Sequence, residues 1–411
     1  MVRVSLLGII LPFLIIPARR HRAARCVQPP PPPATMNAPE KLNLDSTTPS
    51  AAATTCPVNS HNEWDPLEEV IVGSLEHATI PVNHLTFTGN LPASAVKLYR
   101  PLAGMRYPGV IADPAKRELE GLARLLEREG IKVRRPDPVD FNLNAKTPFW
   151  KSKGFCTASP RDGILIVGDE MIETPMAWRS RFFEVYAYRT LLNEYFDAGA
   201  RWTSAPKPML DDKAYDYNYT PPKAGEPMRY MLTEAEPLFD AADFTRCGRD
   251  LFYTRSNVTN ARGVEWLRRH LGSNYTLHEI ETRCTQPMHI DTTFVPLGPG
   301  KVLINPEFVD VTRLPRVLKD WQILVAPQPD PISSSWRFYL SLVSKWISLN
   351  MLKLDEKRVI CEASQVSMIA ALKGWGFEPI PLPFMNYKMF GGGFHCATLD
   401  IRRRGSLQSY F

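Results

Sequence analysis

The sequence predicts an α/β fold. Short apolar strands alternate with amphipathic helical stretches, glycines close those stretches, and no Gly/Ser-rich linker divides the chain after Glu63. Val70-Ile71-Val72-Gly73 reads as a buried strand with a stop. Asp113-Pro114 predicts a helix opening with an N-cap and an N1 proline; Leu119, Leu122 and Leu126 form one face, and Gly130 closes it. Ile131 and Val133 restart a strand that Pro136 ends. Ile164–Val167 and Met171-Ile172 predict a tight hairpin across Gly168-Asp169. Val185, Tyr188, Leu192 and Tyr195 mark a helix closed by Gly199; Val264, Leu267 and Leu271 mark another closed by Gly272. Lys301–Ile304 and Arg358-Val359-Ile360 add two strands.

The N-terminal region reads differently. Residues 5–16 (SLLGIILPFLII) are apolar but too short to span a bilayer as an ordinary helix. Arginines at 19, 20, 22 and 25 and prolines at 29–33 follow, with no acidic residue before Glu40. A signal peptide would end in small residues, and a presequence would be an amphipathic, serine-rich helix. Residues 1–35 are therefore expected to be an upstream extension or an atypical leader, 36–58 a flexible approach, and 59–411 a single domain. A true start at Met36 implies the cytoplasm; import into an organelle, the mitochondrion, is the alternative.

Composition narrows the function. A formal charge of +6 over 411 residues, with Arg402-Arg403-Arg404 the one basic run that stands out, is too dilute for a nucleic-acid groove. The seven cysteines are scattered, with no CxxC pair, so neither a zinc knuckle nor a disulfide framework is suggested. No GxGxxG follows a first strand and no GxxxxGK[ST] occurs, so nucleotide binding lacks its usual apparatus. No metal or other cofactor and no stable membrane insertion are expected, and the oligomeric state stays open between monomer and homodimer.

Four short stretches could carry chemistry. Cys396 follows Gly391-Gly392-Gly393, a loop whose backbone allows close approach, so it suits a nucleophile; a buried cysteine in a strand would give the same pattern. In Pro287-Met288-His289-Ile290-Asp291, strand alternation would put His289 and Asp291 on one face, as a proton donor and acceptor or as a structural pair. Asp240 and Asp243 sit in apolar company and must find cations or donors. Asp162, before the strand that begins at Gly163, also suits a plain turn. Together, one Cys, one His and apolar-flanked carboxylates suit attack on a guanidinium, a planar cation that accepts paired carboxylates.

Residues 61–73 (HNEWDPLEEVIVG), 133–138 (VRRPDP), 175–184 (PMAWRSRFFE), 239–244 (FDAADF), 287–291 (PMHID), 354–359 (LDEKRV) and 391–410, which open GGGFHC, resemble glycine amidinotransferase. The resemblance runs in order over nearly all of the chain from residue 57. It implies a pentein fold, five ββαβ-type modules about a pseudo-fivefold axis. It also implies that Cys396 attacks the guanidinium carbon of L-arginine and that His289 protonates the departing ornithine. Asp240 would orient His289 and grip the guanidinium, Asp162 would hold the guanidinium from another side, Asp291 would bind the donor's α-amino group, and Ser344 would lie near the donor carboxylate. The expected acceptor is a small amine, glycine first, giving guanidinoacetate as in creatine biosynthesis. A larger amine, such as an aminocyclitol or polyketide-derived amine, is the alternative, and a deiminase-like hydrolase a third reading.

The match departs at three places. The family has an arginine after its Asn-Pro for the substrate carboxylate, where this chain has Asn305-Pro306-Glu307-Phe308. A Ser-Ser pair becomes Val343-Ser344 after an insertion around 338–342, and Gln286 stands where Asn is expected. Losing a bidentate cation weakens carboxylate binding by about 2–5 kcal/mol unless another arginine substitutes.

Overall fold

A computed structural model describes residues 56–91, 93–223, 225–331 and 343–411. Residues 1–35, most of 36–58 and the insertion around 338–342 lie outside them. Val58, at the far end of the expected approach, is fully buried against Ile71, Ile164 and Ile401.

Five three-stranded sheets carry the architecture, each an antiparallel pair extended by a parallel third strand. The second comprises Ile164–Val167 and Glu170–Glu173, then the helix Arg189–Asp197, then Arg201–Ser204 parallel to the middle strand. The third repeats this with Phe244–Cys247, Asp250–Tyr253, the helix Ala261–Leu271 and Thr276–Glu279. The fourth uses Phe294–Gly298, Lys301–Ile304 and Gln322–Val325, and the fifth Leu352–Lys353, Arg358–Glu362, the helix Val366–Gly374 and Glu378–Leu382. The first joins the chain ends: Leu67–Val72 is flanked by Lys132–Arg134 in parallel and by the C-terminal strand Thr398–Arg403 antiparallel, with Val70 opposite Asp400. This is the pentein arrangement, five modules about a pseudo-fivefold axis.

Local chemistry explains the modules. The expected hairpin turns at Gly168, whose φ of +64° is open to glycine at little cost and admits a two-residue connection. Every residue of Ile164–Val167 is buried, as a strand covered on both faces requires. The helices Arg189–Asp197 and Ala261–Leu271 lay Leu192 and Leu267 inward. In the fourth module two 3-10 turns, Val311–Arg313 and Arg316–Leu318, replace the helix; Asp310 caps the first, and Pro315 precedes the second.

Two local expectations are corrected. The helix expected to open at Asp113 runs Gly109–Arg128, so Pro114 lies inside it instead of opening it. Ile111 and Ala112 bury the added turn, and the carbonyl that Pro114 leaves without a donor belongs to Val110, an exposed residue that water can serve. Residues 287–291 form no strand: His289 has a left-handed backbone, φ +67°, so its side-chain direction is set by a turn and not by alternation.

A buried ion network ties the modules beneath the site. Glu63 takes Arg246 Nε at 2.8 Å and Arg161 at 3.6 Å, while Asp400 pairs with Arg161, with Arg246 at 3.1 Å and with Arg403 at 2.7 Å. Arg246 also donates to Ser60 Oγ at 2.7 Å and to the Ile166 carbonyl at 3.3 Å, so it links the second and third modules. Burial opposes both carboxyl charges, but Arg246 holds Glu63, and chiefly Arg161 holds Asp400, well below the ordinary carboxylate range.

Candidate active site

Cys396 lies between the glycine loop and the C-terminal strand, so it precedes that strand and is not part of it. Gly391 takes a left-handed turn (φ +93°) after the 3-10 turn Tyr387–Phe390. The next two glycines are required by close approach: a Cβ on Gly392 would lie 2.6 Å from Cys396 Cβ, and one on Gly393 would lie 2.9 Å from Asn350 Cβ. The loop is thus packed against the cysteine and Asn350, and Gly391 alone of the three lines the adjoining cavity.

That cavity has a volume of about 1230 Å³, and Asp162, His289, Asp291, Ser344 and Cys396 all line it. Asp240 stands behind His289, fully buried, with Oδ2 3.2 Å from His289 Nε2. His289 Nδ1 lies 3.8 Å from Asp162 Oδ1 on the other side. The left-handed turn at His289 is secured by Ile290 N donating to the Ala242 carbonyl at 3.1 Å, next to Asp240. Asp162 closes the helical turn Pro160–Gly163; its Oδ2 accepts from Arg181 Nη1 at 2.7 Å. Asp162 Oδ1 and Asp240 Oδ1 are buried without a hydrogen-bond partner, a costly state that a donor-rich cation would relieve.

Asp291 Oδ2 accepts from the Cys396 thiol at 3.3 Å and contacts His395 Nδ1 at 3.0 Å. The other ring nitrogen of His395 lies 3.3 Å from Glu63, which connects the site to the ion network. Ser344 caps the 3-10 turn Lys345–Leu349, accepting from Trp346 N at 3.2 Å. Phe308 forms part of the cavity wall and packs on the core of the fourth and fifth modules.

Burial penalises ionisation of Cys396, and the charge of Asp291 adds to it, so the thiol is pushed up to about 12. Burial would make His289 neutral, but Asp162 and Asp240 outweigh it and hold the imidazolium well above its ordinary range. Asp240 is raised by burial, while Asp291 is lowered against burial by its bond to His395. Both directions favour a neutral thiol beside a charged imidazolium. Asp162, His289 and Cys396 offer one donor atom each within 4.8 Å of one another. Such a group could touch a metal ion, and it equally leaves room for a flat cation.

Sequence reasoning missed three residues that build this site. Arg181 lay inside a quoted stretch, yet its bond to Asp162 and its bidentate grip on Glu184 through Nε and Nη2 depend on tertiary packing. His395 adjoined the cysteine without a partner being evident. Asn350 carried no local signal.

No protein-family profile matches the chain. Individual proteins do. The chain is 49% identical over 356 residues to the L-arginine:L-lysine amidinotransferase of Pseudomonas savastanoi pv. phaseolicola, covering 87% of this chain and 97% of that one. It is 43% identical over 378 residues to the mitochondrial glycine amidinotransferase of Danio rerio, covering 90% and 88%. Among solved structures, an amidinotransferase of the saxitoxin biosynthetic pathway from Microseira wollei is similar with a TM-score of 0.84 at 55% identity, covering 87% of this chain and 100% of that one.

Proposed function

This chain belongs to the amidinotransferases, and on that premise we propose that it moves the amidino group of L-arginine to a primary amine through a covalent bond to Cys396. One observation carries the assignment of roles: two carboxylate oxygens are buried without partners on either side of His289, Asp162 Oδ1 beside Cys396 and Asp240 Oδ1 behind the imidazole. A guanidinium brings the N–H donors and the charge that such oxygens lack.

The steps follow from the geometry. The guanidinium settles against Asp162, and its positive charge offsets the carboxylates that keep Cys396 protonated. The thiol proton leaves along the 3.3 Å contact to Asp291 and passes on to solvent, so Asp291 stays charged. Sγ then bonds to the guanidinium carbon, the bond from that carbon to the ornithine nitrogen breaks, and His289, already an imidazolium, gives its proton to the departing amine. The acceptor amine next attacks the amidino carbon and returns a proton to His289, and Cys396 leaves as a thiolate that takes its own proton back from solvent. Asp240 keeps the imidazole in place through Nε2, Asp291 meets the donor's α-amino group, and Ser344 lies toward its carboxylate. None of these steps calls on a cofactor.

For the acceptor, a primary amine longer than glycine is the reading best supported. Phe308 presents an apolar wall where the glycine-type pattern has an arginine, the cavity is far larger than arginine and glycine require, and the relatives with 49% and 55% identity are named for lysine and for the saxitoxin pathway. Arg283, whose guanidinium donates to the Val309 carbonyl at 2.9 Å beside Phe308, is a cation on the same wall that could meet a carboxylate. Glycine is the second reading, supported by the relative that bears its name. No helix among the described residues is long and apolar enough to cross a membrane. The mitochondrial name of that same relative supports an organellar location as the alternative to the cytoplasm.

Incubation with arginine and a panel of amines, read by mass spectrometry, tests the proposal. Ornithine with an amidinated amine supports it; citrulline instead would assign a hydrolase.

A further inference from the structure

We propose that Asn350 is a catalytic residue of this site: its side-chain amide fixes the nucleophile and donates a hydrogen bond that stabilises the Cys396 thiolate. The proposal rests on the amidinotransferase reading above and names a residue that reading does not use.

Asn350 is 1% exposed and follows the 3-10 turn that Ser344 caps, with its N–H bonded to the Ile347 carbonyl at 3.0 Å. Its Oδ1 accepts two backbone N–H groups of the nucleophile loop, Gly393 at 3.1 Å and Cys396 at 3.0 Å. Its main-chain carbonyl accepts two more, Phe394 at 3.0 Å and His395 at 3.4 Å. Those two backbone donors decide the orientation of the amide, since the oxygen must face them and the nitrogen must then face the other way. Nδ2 consequently points at Cys396 Sγ, 3.1 Å away. The thiol has one proton, and Asp291 takes it at 3.3 Å, so the amide N–H reaches a sulfur lone pair. When the proton leaves, a donor already stands at the new negative charge without reorganisation, and the bond becomes charge-assisted. The other groups facing the sulfur are Asp291, Asp162 and His289. The two carboxylates disfavour the thiolate, which leaves Asn350 as the neutral donor among its described contacts.

A purely structural asparagine would serve only through Oδ1, and one substitution separates the two roles. Asn350→Asp keeps two acceptor oxygens for the Gly393 and Cys396 N–H groups, which hold it ionised, but removes the donor to sulfur. Asn350→Ser also removes that donor, without adding charge. The test is the pH dependence of iodoacetamide alkylation in the full chain, read at the Cys396 peptide by mass spectrometry, with circular dichroism to establish folding. At a fixed pH below the thiol midpoint, Cys396 should react about tenfold more slowly in Asn350→Ser, and more slowly still in Asn350→Asp. The fall in kcat should follow the loss of thiolate, while KM for arginine changes by less than about threefold. If Asn350→Asp does not fold, Asn350→Ser alone decides. A folded variant with an unchanged alkylation midpoint overturns the proposal. Failure of the wider reading looks different: wild-type Cys396 would alkylate normally yet acquire no amidino group from arginine.

Discussion

Replacing Asp162 with asparagine probes the proposed guanidinium site with little change of shape. Asp162 Oδ2 is held by Arg181 at 2.7 Å, and Oδ1 faces His289 Nδ1 at 3.8 Å with no hydrogen bond of its own. In Asp162→Asn the amide oxygen stays with Arg181, so the NH2 turns toward the position of the substrate's own N–H donors. One attractive, charge-assisted contact becomes donor against donor. Truncating one partner of a buried charge pair costs about 2–4 kcal/mol, which converts to a loss of about 30- to 900-fold in kcat/KM. The fold should survive, because Arg181 keeps its bidentate bond to Glu184, Nε to Oε1 at 3.1 Å and Nη2 to Oε2 at 2.9 Å. A second readout is independent of affinity. Burial works against the His289 imidazolium and Asp162 is the leading group that sustains it, so the alkaline limb of activity should move to lower pH. Steady-state kinetics across pH, with ornithine as the measured product, checks both. A kcat/KM within threefold of wild type and an unmoved alkaline limb would refute the role given to Asp162.

Three further outcomes are expected. Phe308→Arg should impair transfer to a longer amine and leave glycine turnover intact or improved; a wild-type preference for glycine by tenfold, about 1.4 kcal/mol, would reverse the acceptor proposed. Glu63 and Asp400 are depressed in the fold relative to 4.5 and 3.8, so their stabilisation is complete above those values and lost as pH falls through the folded ones. Urea midpoints should therefore drop on acidification, and Asp400→Asn should flatten that slope while costing about 3–5 kcal/mol at neutral pH; an unaltered slope would contradict the network's role. Exhaustive chelation should leave transfer unchanged, and activity lost and then restored by zinc would instead make Asp162, His289 and Cys396 a metal site.

How far the sequence could be read depended on whether its signals were local. The hairpin at Gly168 was legible because a positive φ needs glycine and the flanking residues are apolar throughout. The helix from Gly109 was misread at its start because an N-cap aspartate followed by proline looks the same when buried Ile111 and Ala112 carry the helix further back. Alternation failed at His289 because a left-handed residue breaks the period of two, and no composition rule signals that in a histidine. The five-module ring was invisible to periodicity. Its closure depends on Val70 meeting Asp400 from opposite ends of the chain, and the resemblance supplied it instead. Cys396, His289, Asp162 and Asp291 were found as residue types with plausible neighbours, and the fold brings them to one cavity. The residues that orient them, Asn350 and Arg181, act through contacts between distant segments that no spacing encodes.

The central claim is a covalent bond between Cys396 and the amidino group of arginine, and the most direct measurement is peptide-level mass spectrometry of the full chain quenched after mixing with arginine alone. The expected result is an amidino adduct confined to the Cys396 peptide, absent in a folded Cys396→Ala variant that also makes no ornithine. An adduct on any other cysteine, or transfer that persists in Cys396→Ala, would contradict the account.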